Sequence, residues 1–236
     1  ALSRELYALA CTPSVEHLTC YRYYSLSKAG APSGKLDNGT ITSLQSLTRQ
    51  LSTKMVPALP KLVAFDLDAT LWWPEMYMLA GSPFTKNAKS GKVADRSGEQ
   101  VELMGSSTRI LKELASDPKW KDTAVAYVSR TRHPDWAEKC LRLIEVTDQG
   151  RAGNKMCMDD LGEYKQLYPG TKKVHFKKIH EESGVDYTDM IFFDNERRNI
   201  IDVQQLGVTC VYTPDGMTDQ TWEMGLRQFL VNRGTE

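Results

Sequence analysis

From Lys61 onward, short apolar runs alternate with amphipathic stretches. The runs at 61–66, 123–128 ("TAVAYV"), 190–194 ("MIFFD") and 208–212 ("VTCVY") are apolar throughout, which predicts strands buried on both faces. Between them, 107–116, 134–145, 172–184 and 196–206 read as helices, and 218–232 as a last one. Pro134 sits where a helix would start, and Gly184 and Gly207 where two would end. Buried strands alternating with helices predict an α/β fold, a doubly wound, Rossmann-like parallel sheet covered on both sides. Such a sheet binds ligands at the carboxyl ends of its strands.

Two insertions interrupt the alternation. The first, 72–105, carries "DRSGEQ" between Val93 and Val101 and reads as a β-hairpin. The second, 146–165, carries the polar "DQGRAGNK" and reads as a loop. Residues 1–60 differ from the rest: rich in Ser and Thr, poor in acids, with a helix-spaced stretch at Leu44, Leu47 and Leu51. They are expected to be an N-terminal extension, partly ordered, attached to a main domain at 61–236. An Arg-bearing, acid-poor leader is also the composition of an organelle transit remnant, so a cytoplasmic or an organellar site is expected.

Charge narrows the partners. The 236 residues hold 30 Lys plus Arg and 30 Asp plus Glu, well mixed, which sets up no field for nucleic acid or an anionic membrane. No apolar segment approaches a membrane span. Cys11, Cys20, Cys140, Cys157 and Cys210 are odd in number and form no CxxC pair, so reduced thiols are expected rather than zinc or a disulfide framework. A monomer is the favoured state, with nothing in the residues to fix it.

The chemistry begins where the first strand ends. "KLVAFDLDAT" closes an apolar run on Asp66 and Asp68. Neighbouring carboxylates repel unless a cation joins them, and Mg²⁺ with oxygen ligands suits them. Asp194 ends "MIFFD" in the same way and would reach the same sheet edge. Three acids from two strand ends thus make a candidate Mg²⁺ pocket. Ser129 ends a further strand just before a helix, where a hydroxyl and backbone N–H groups suit a phosphate. Lys172 opens a helix whose N-cap is Thr171, a position the macrodipole disfavours for a cation unless an anion lies close by.

These stations, in this order, resemble the haloacid dehalogenase superfamily. "FDLDATLW", "YVSRT", "YPGTKKVHF" and "MIFFDNERRNIIDVQQLGVTCVY" resemble its eukaryotic magnesium-dependent phosphatase family, over about residues 60–215. The resemblance implies a superfamily-type sheet with a small hairpin flap and no large cap domain. It implies a Mg²⁺-dependent phosphomonoesterase: Asp66 as the nucleophile forming an aspartyl-phosphate, and Asp68 as general acid and base. Mg²⁺ would be held by Asp66, the Asp68 backbone carbonyl and Asp194. Ser129 and Lys172 would hold the phosphate, and Arg130 either helps them or pairs with an acid. Thr70 and Asn195 would support the site from behind, and Trp72 and Trp73 would form an apolar lip with Met76, Tyr77 and Met78 nearby. His133 is read as a loop histidine, His175 and His180 as surface or packing residues.

The family resemblance points to two substrate classes, phosphotyrosine on a protein or a phosphosugar attached to an amine, and an open site admits both. Asn195 departs from the family, which commonly has a second acid there, and Ala69 stands where a Tyr is frequent. A phospho-ligand-binding or scaffold protein without turnover is the alternative, resting on Asn195 alone. Dehalogenase chemistry has no use for Asp68 or Asp194.

Overall fold

The computed structural model describes residues 59–147, 150 and 153–234. The expected helix around Leu44–Leu51, together with Cys11 and Cys20, lies outside the described residues. Five parallel strands form the main sheet: β1 (Leu62–Phe65), β6 (Ala124–Ser129), β9 (Gly162–Leu167), β10 (Met190–Asp194) and β11 (Thr209–Tyr212). Their order is β11-β10-β1-β6-β9. The chain moves outward from β1 through β6 to β9, then returns to the other side of β1 for β10 and β11. The strand order reverses beside β1, and a doubly wound sheet opens its crevice at such a point.

Alternation along each strand explains the double covering. Val63 and Phe65 join one core with Ile110, Leu111 and Leu114 of α1 (Ser107–Ser116), Cys140 and Leu141 of α2 (Pro134–Leu143), and Trp222 and Phe229 of α6 (Asp219–Gly234). Leu62 and Ala64 face the other core, with Phe176 and Ile179 of α4 (Lys172–Ser183) and Ile200 and Val203 of α5 (Arg197–Gln204). Each large apolar side chain buried in this way stabilises the fold by roughly 1.5–3 kcal/mol. Phe65 also stacks on Phe193, centroids 5.4 Å apart at 17°. Gly184 ends α4 in the left-handed region, φ 66°, where a Cβ would be strained. Among the described residues, no helix is long and apolar enough to cross a membrane.

The insertions hold more structure than the sequence pattern predicts. In 72–105, β2 (Trp72–Trp73), β3 (Thr85–Lys86), β4 (Val93–Ala94) and β5 (Gln100–Leu103) form a small antiparallel sheet, order β2-β5-β4-β3. The β4–β5 hairpin pairs Val93 with Val101. In 146–165, β7 (Glu145–Thr147) pairs with β8 (Met156–Cys157), and a turn of helix, α3 (Met158–Leu161), leads straight into β9. Residues 148, 149, 151 and 152 of the expected loop lie outside the described ones. The edge strand β9 escapes the sequence pattern because "GEYKQL" carries polar residues, which an edge tolerates and a central strand does not.

Asp95 pins the flap. Its Oδ2 accepts the N–H groups of Ala80 (2.6 Å) and Gly81 (3.3 Å), and its Oδ1 accepts those of Ser97 (2.8 Å) and Glu99 (3.1 Å). Burial alone would raise its pKa, but these hydrogen bonds and the Ser97 hydroxyl hold it down at about 2. The folded value lies below the unfolded 3.8, so this contribution is full above that pH and fades as pH falls toward 2. Asp95→Ala is expected to speed amide exchange at Ala80, Gly81, Ser97 and Glu99 while β1 and β10 stay protected. Unchanged exchange at those four amides would show that the turn holds without Asp95.

Candidate active site

Three strand ends converge. Asp66 directly follows β1, and its N–H donates to the Phe193 carbonyl at 2.9 Å, so the ladder carries the carboxylate to the sheet edge. Ser129 and Asp194 end β6 and β10 at the same edge. After Asp66 the chain reverses at once. Ala69 takes φ 56°, a left-handed conformation that costs a non-glycine residue roughly 1–2 kcal/mol, and its N–H donates to the Trp72 carbonyl at 2.9 Å.

Lys172 joins the three ends from beneath. It is 1% exposed, the first residue of α4, with Thr171 as the N-cap whose hydroxyl accepts the Val174 N–H at 3.4 Å. Its ammonium donates to Asp66 Oδ1 at 2.5 Å and to the Val128 carbonyl, and lies 3.3 Å from Asp194 Oδ2. The anions that justify a cation at this helix start are therefore the protein's own carboxylates. Two of its three protons are placed, on Asp66 and the Val128 carbonyl, and Asp194 adds an ion pair.

The two acids of the first motif stand in different settings. Asp66 accepts the Thr70 hydroxyl on Oδ2 at 3.1 Å besides the Lys172 ammonium. Burial pushes it up from the usual carboxylate range, and Lys172 pulls it back. Asp68 accepts the Trp72 indole N–H at 2.7 Å. Burial pushes it up to about 7, the Trp72 bond opposes, and the charge of Asp66 adds to the rise. A carboxyl at that value is protonated in a large fraction of molecules at neutral pH.

Trp72 requires a correction. It is 0% exposed, a core residue that orients Asp68, and cannot be part of a substrate lip. Its large apolar ring is worth more buried at the base of β2 than in water. Trp73 is 46% exposed but does not line the cleft either. The aromatic there is Tyr77, 70% exposed, with Glu75 beside it.

Behind Asp66, Thr70 and Asn195 pair: the Asn195 N–H donates to the Thr70 hydroxyl at 3.1 Å. Asn199 and Glu196, which the motifs alone do not single out, complete the shell around Asp194. The Asn199 amide donates to both Asp194 oxygens (3.2 and 3.0 Å), and the Glu196 N–H donates to Oδ1 at 2.6 Å. Their signal is the spacing in "DNERRN", which puts both within the first turn of a helix starting just after Asp194. Arg130 has its acid. It donates to the Gly170 carbonyl (3.0 Å) and to Glu196 (3.3 Å) while lining the cleft. The Ser129 hydroxyl oxygen accepts the Thr131 N–H at 3.2 Å, which leaves its own proton to donate. His175 is fully buried behind Lys172, edge-on to Tyr168 at 4.3 Å, and burial with the nearby Lys172 charge pushes it down to about 4. His180 stacks on Tyr187.

The donor set suits Mg²⁺. Among the described residues no three His, Cys, Asp or Glu side chains converge to make a cage. Mg²⁺ does not ask for one: it keeps water and substrate oxygens and takes one or two carboxylates. Asp66 and Asp194 both bond one ammonium, so they converge on a point, and each keeps acceptor capacity. Burial and the charge of Asp66 also push Asp194 up, against Lys172. One ammonium against two buried carboxylates leaves a negative charge that a divalent cation would satisfy. The cleft in front has a volume of about 540 Å³ and is open to solvent.

The acid phosphatase family model matches residues 58–232. Magnesium-dependent phosphatase 1 of Homo sapiens is 38% identical over 176 residues, which cover 72% of this chain and 88% of the human protein. A HAD-like hydrolase superfamily protein of Schizosaccharomyces pombe is 38% identical over 152 residues, 64% of this chain and 83% of its own. Among solved structures, the N-terminal part of a Bacteroides fragilis protein, containing a phosphatase domain complexed with Mg, aligns with a TM-score of 0.47 at 16% identity. That alignment covers 79% of this chain and 44% of that one. With the family model spanning every strand of the main sheet, the chain belongs to the acid phosphatase family, among the magnesium-dependent phosphatases of the haloacid dehalogenase superfamily.

Proposed function

We propose that this chain hydrolyses phosphomonoesters in two steps through an aspartyl-phosphate on Asp66, with 61–236 as the catalytic domain, 72–105 as its flap and 146–165 as a further insertion. The observation that carries the reading is the contrast between Asp66 and Asp68. On Asp66 the Lys172 ammonium and the Thr70 hydroxyl oppose the rise that burial causes, while Asp68 has no cation beside it among the described residues, only the Trp72 indole and the Met76 N–H, and burial pushes it up to about 7. Two carboxyls with opposite environments divide the roles of nucleophile and acid.

In the first step an Asp66 oxygen attacks phosphorus, the bond from phosphorus to the leaving oxygen breaks, and Asp68 gives that oxygen its proton. In the second, water attacks the same phosphorus and gives its proton to Asp68. The bond to Asp66 breaks and inorganic phosphate leaves. The Ser129 hydroxyl donates to a phosphoryl oxygen, Lys172 contributes charge, and Arg130, tied to Glu196, stands at the cleft wall. Thr70 and Asn195 keep Asp66 in place. Mg²⁺, when bound by Asp66, Asp194 and the Asp68 carbonyl, supplies the positive charge that lets an anionic nucleophile approach an anionic phosphate.

The open cleft, with Tyr77 at its lip, supports phosphotyrosine on a protein or an amine-linked phosphosugar as substrate. Scaffolding without turnover finds little support: the Asn195 side-chain oxygen accepts the Thr70 hydroxyl at 3.3 Å, and a mere binder has no use for a second acid at Asp68. The test is hydrolysis of p-nitrophenyl phosphate. Turnover is expected with Mg²⁺, to be lost on chelation with EDTA and to return when Mg²⁺ is restored. Full activity in excess EDTA would remove the metal from the reading.

A further inference from the structure

Three arginines line the cleft, and they are not equivalent. Arg130 and Arg198 both donate to the Glu196 carboxylate, at 3.3 and 2.7 Å, so their charges are partly spent on the protein. Arg132 lines the same cleft, is exposed, and has no ion-pair or hydrogen-bond partner among the described residues. An uncommitted cation at a cleft wall gains nothing for the fold and remains available to an incoming anion.

Its backbone is also braced. The Thr131 N–H donates to the Ser129 hydroxyl oxygen at 3.2 Å, and the His133 N–H donates to the Thr131 hydroxyl oxygen at 3.0 Å. The His133 ring stacks on Trp136, centroids 4.0 Å apart at 10°. Trp136 in turn presses on the flap at Gly81, where a Cβ would lie 2.4 Å from the indole. The segment carrying Arg132 is therefore fixed between the phosphate-binding end of β6 and the flap. Glu75 and Tyr77 line the same cleft from the flap. A phosphoryl group seated at Asp66 and Ser129 directs its leaving group out through this cleft.

We propose that Arg132 is a specificity-determining residue that favours phosphomonoesters whose leaving group carries a second anionic group. This rests on the phosphatase reading above. The reacting phosphate already meets Lys172 and Ser129, so the guanidinium at the mouth is left for the other end of the substrate. A single exposed charge pair changes kcat/KM by about two- to fivefold and weakens with salt.

The experiment compares phenyl phosphate with 4-carboxyphenyl phosphate, both with Mg²⁺, in wild type, Arg132→Ala and Arg132→Glu. The readout is the ratio of kcat/KM between the two esters, which cancels the intrinsic difference in leaving group. The ratio is expected to fall about two- to fivefold in Arg132→Ala and further in Arg132→Glu, mainly through KM of the carboxylate ester, and the wild-type preference should shrink at high salt. A ratio that stays constant, whether both rates fall together or neither changes, overturns the proposal. A wild-type protein that turns over neither ester with Mg²⁺ overturns the phosphatase reading and this proposal with it.

Discussion

Replacing Asp66 by Asn is expected to reduce phosphomonoester turnover by at least about 10⁴-fold, because an amide oxygen cannot form the covalent bond to phosphorus on which both steps depend. The same change is expected to spare the fold. Asp66 shares the Lys172 ammonium with Asp194, two buried carboxylates against one cation. The substitution removes one negative charge and leaves Lys172 matched with Asp194. The amide oxygen still accepts a hydrogen bond. The thermal midpoint should therefore move by no more than about 4 °C, the size of a 1 kcal/mol change in a domain of this length. Circular dichroism on the purified variant and p-nitrophenyl phosphate hydrolysis read the two effects separately. Turnover near the wild-type rate in a folded Asp66→Asn protein would remove Asp66 as nucleophile.

Lys172→Met, by contrast, is expected to destabilise the fold strongly. The side chain is buried, its ammonium donates to Asp66 and the Val128 carbonyl, and it is ion-paired with Asp194. Methionine has similar length but leaves two buried carboxylates without a counter-charge and one carbonyl without a donor. Breaking a buried pair by removing one partner typically costs about 3–5 kcal/mol, and that is the loss expected in urea denaturation without metal. Two further results are expected. Mg²⁺ should recover more stability in Lys172→Met than it adds to wild type, since the cation replaces a missing charge. Adding Asp66→Asn should restore part of the loss, because the double variant has one buried anion instead of two. Catalysis should fall by about 10²-fold or more, the usual effect of removing a preorganised charge at a reacting phosphoryl group. Wild-type stability in Lys172→Met would mean that the ammonium does not hold the strand ends together.

Particular residues show how far local sequence reaches. β1, β6 and β10 are legible because each is a short apolar run, and burial on both faces leaves no other composition for a central parallel strand; β11, an edge, is legible because "VTCVY" is apolar all the same. Asp66, Ser129 and Asp194 are legible as edge residues because each closes such a run with a polar group. The edge strand β9 is not, since one side of it needs no partner and its polar residues look like a loop. Trp72 is hard to place for a related reason. "LWWP" states that two indoles follow the acids, but not which one turns inward. The antiparallel pairing of Trp72 with Leu103 across the flap supplies that answer.

The chain's own order of residues specified the parallel sheet, the edge on which its polar strand ends gather, and the chemical types present there. These follow from hydrophobic period and capping, which act over a few residues. Tertiary structure alone decided who meets whom. Lys172 reaches Asp66 across 106 positions of sequence, Thr70 reaches Asn195 across 125, and Arg130 is claimed by Glu196 while Arg132 is left open. Such pairings depend on strand order and on which side chains are already taken. Neither is set until the sheet has closed around β1.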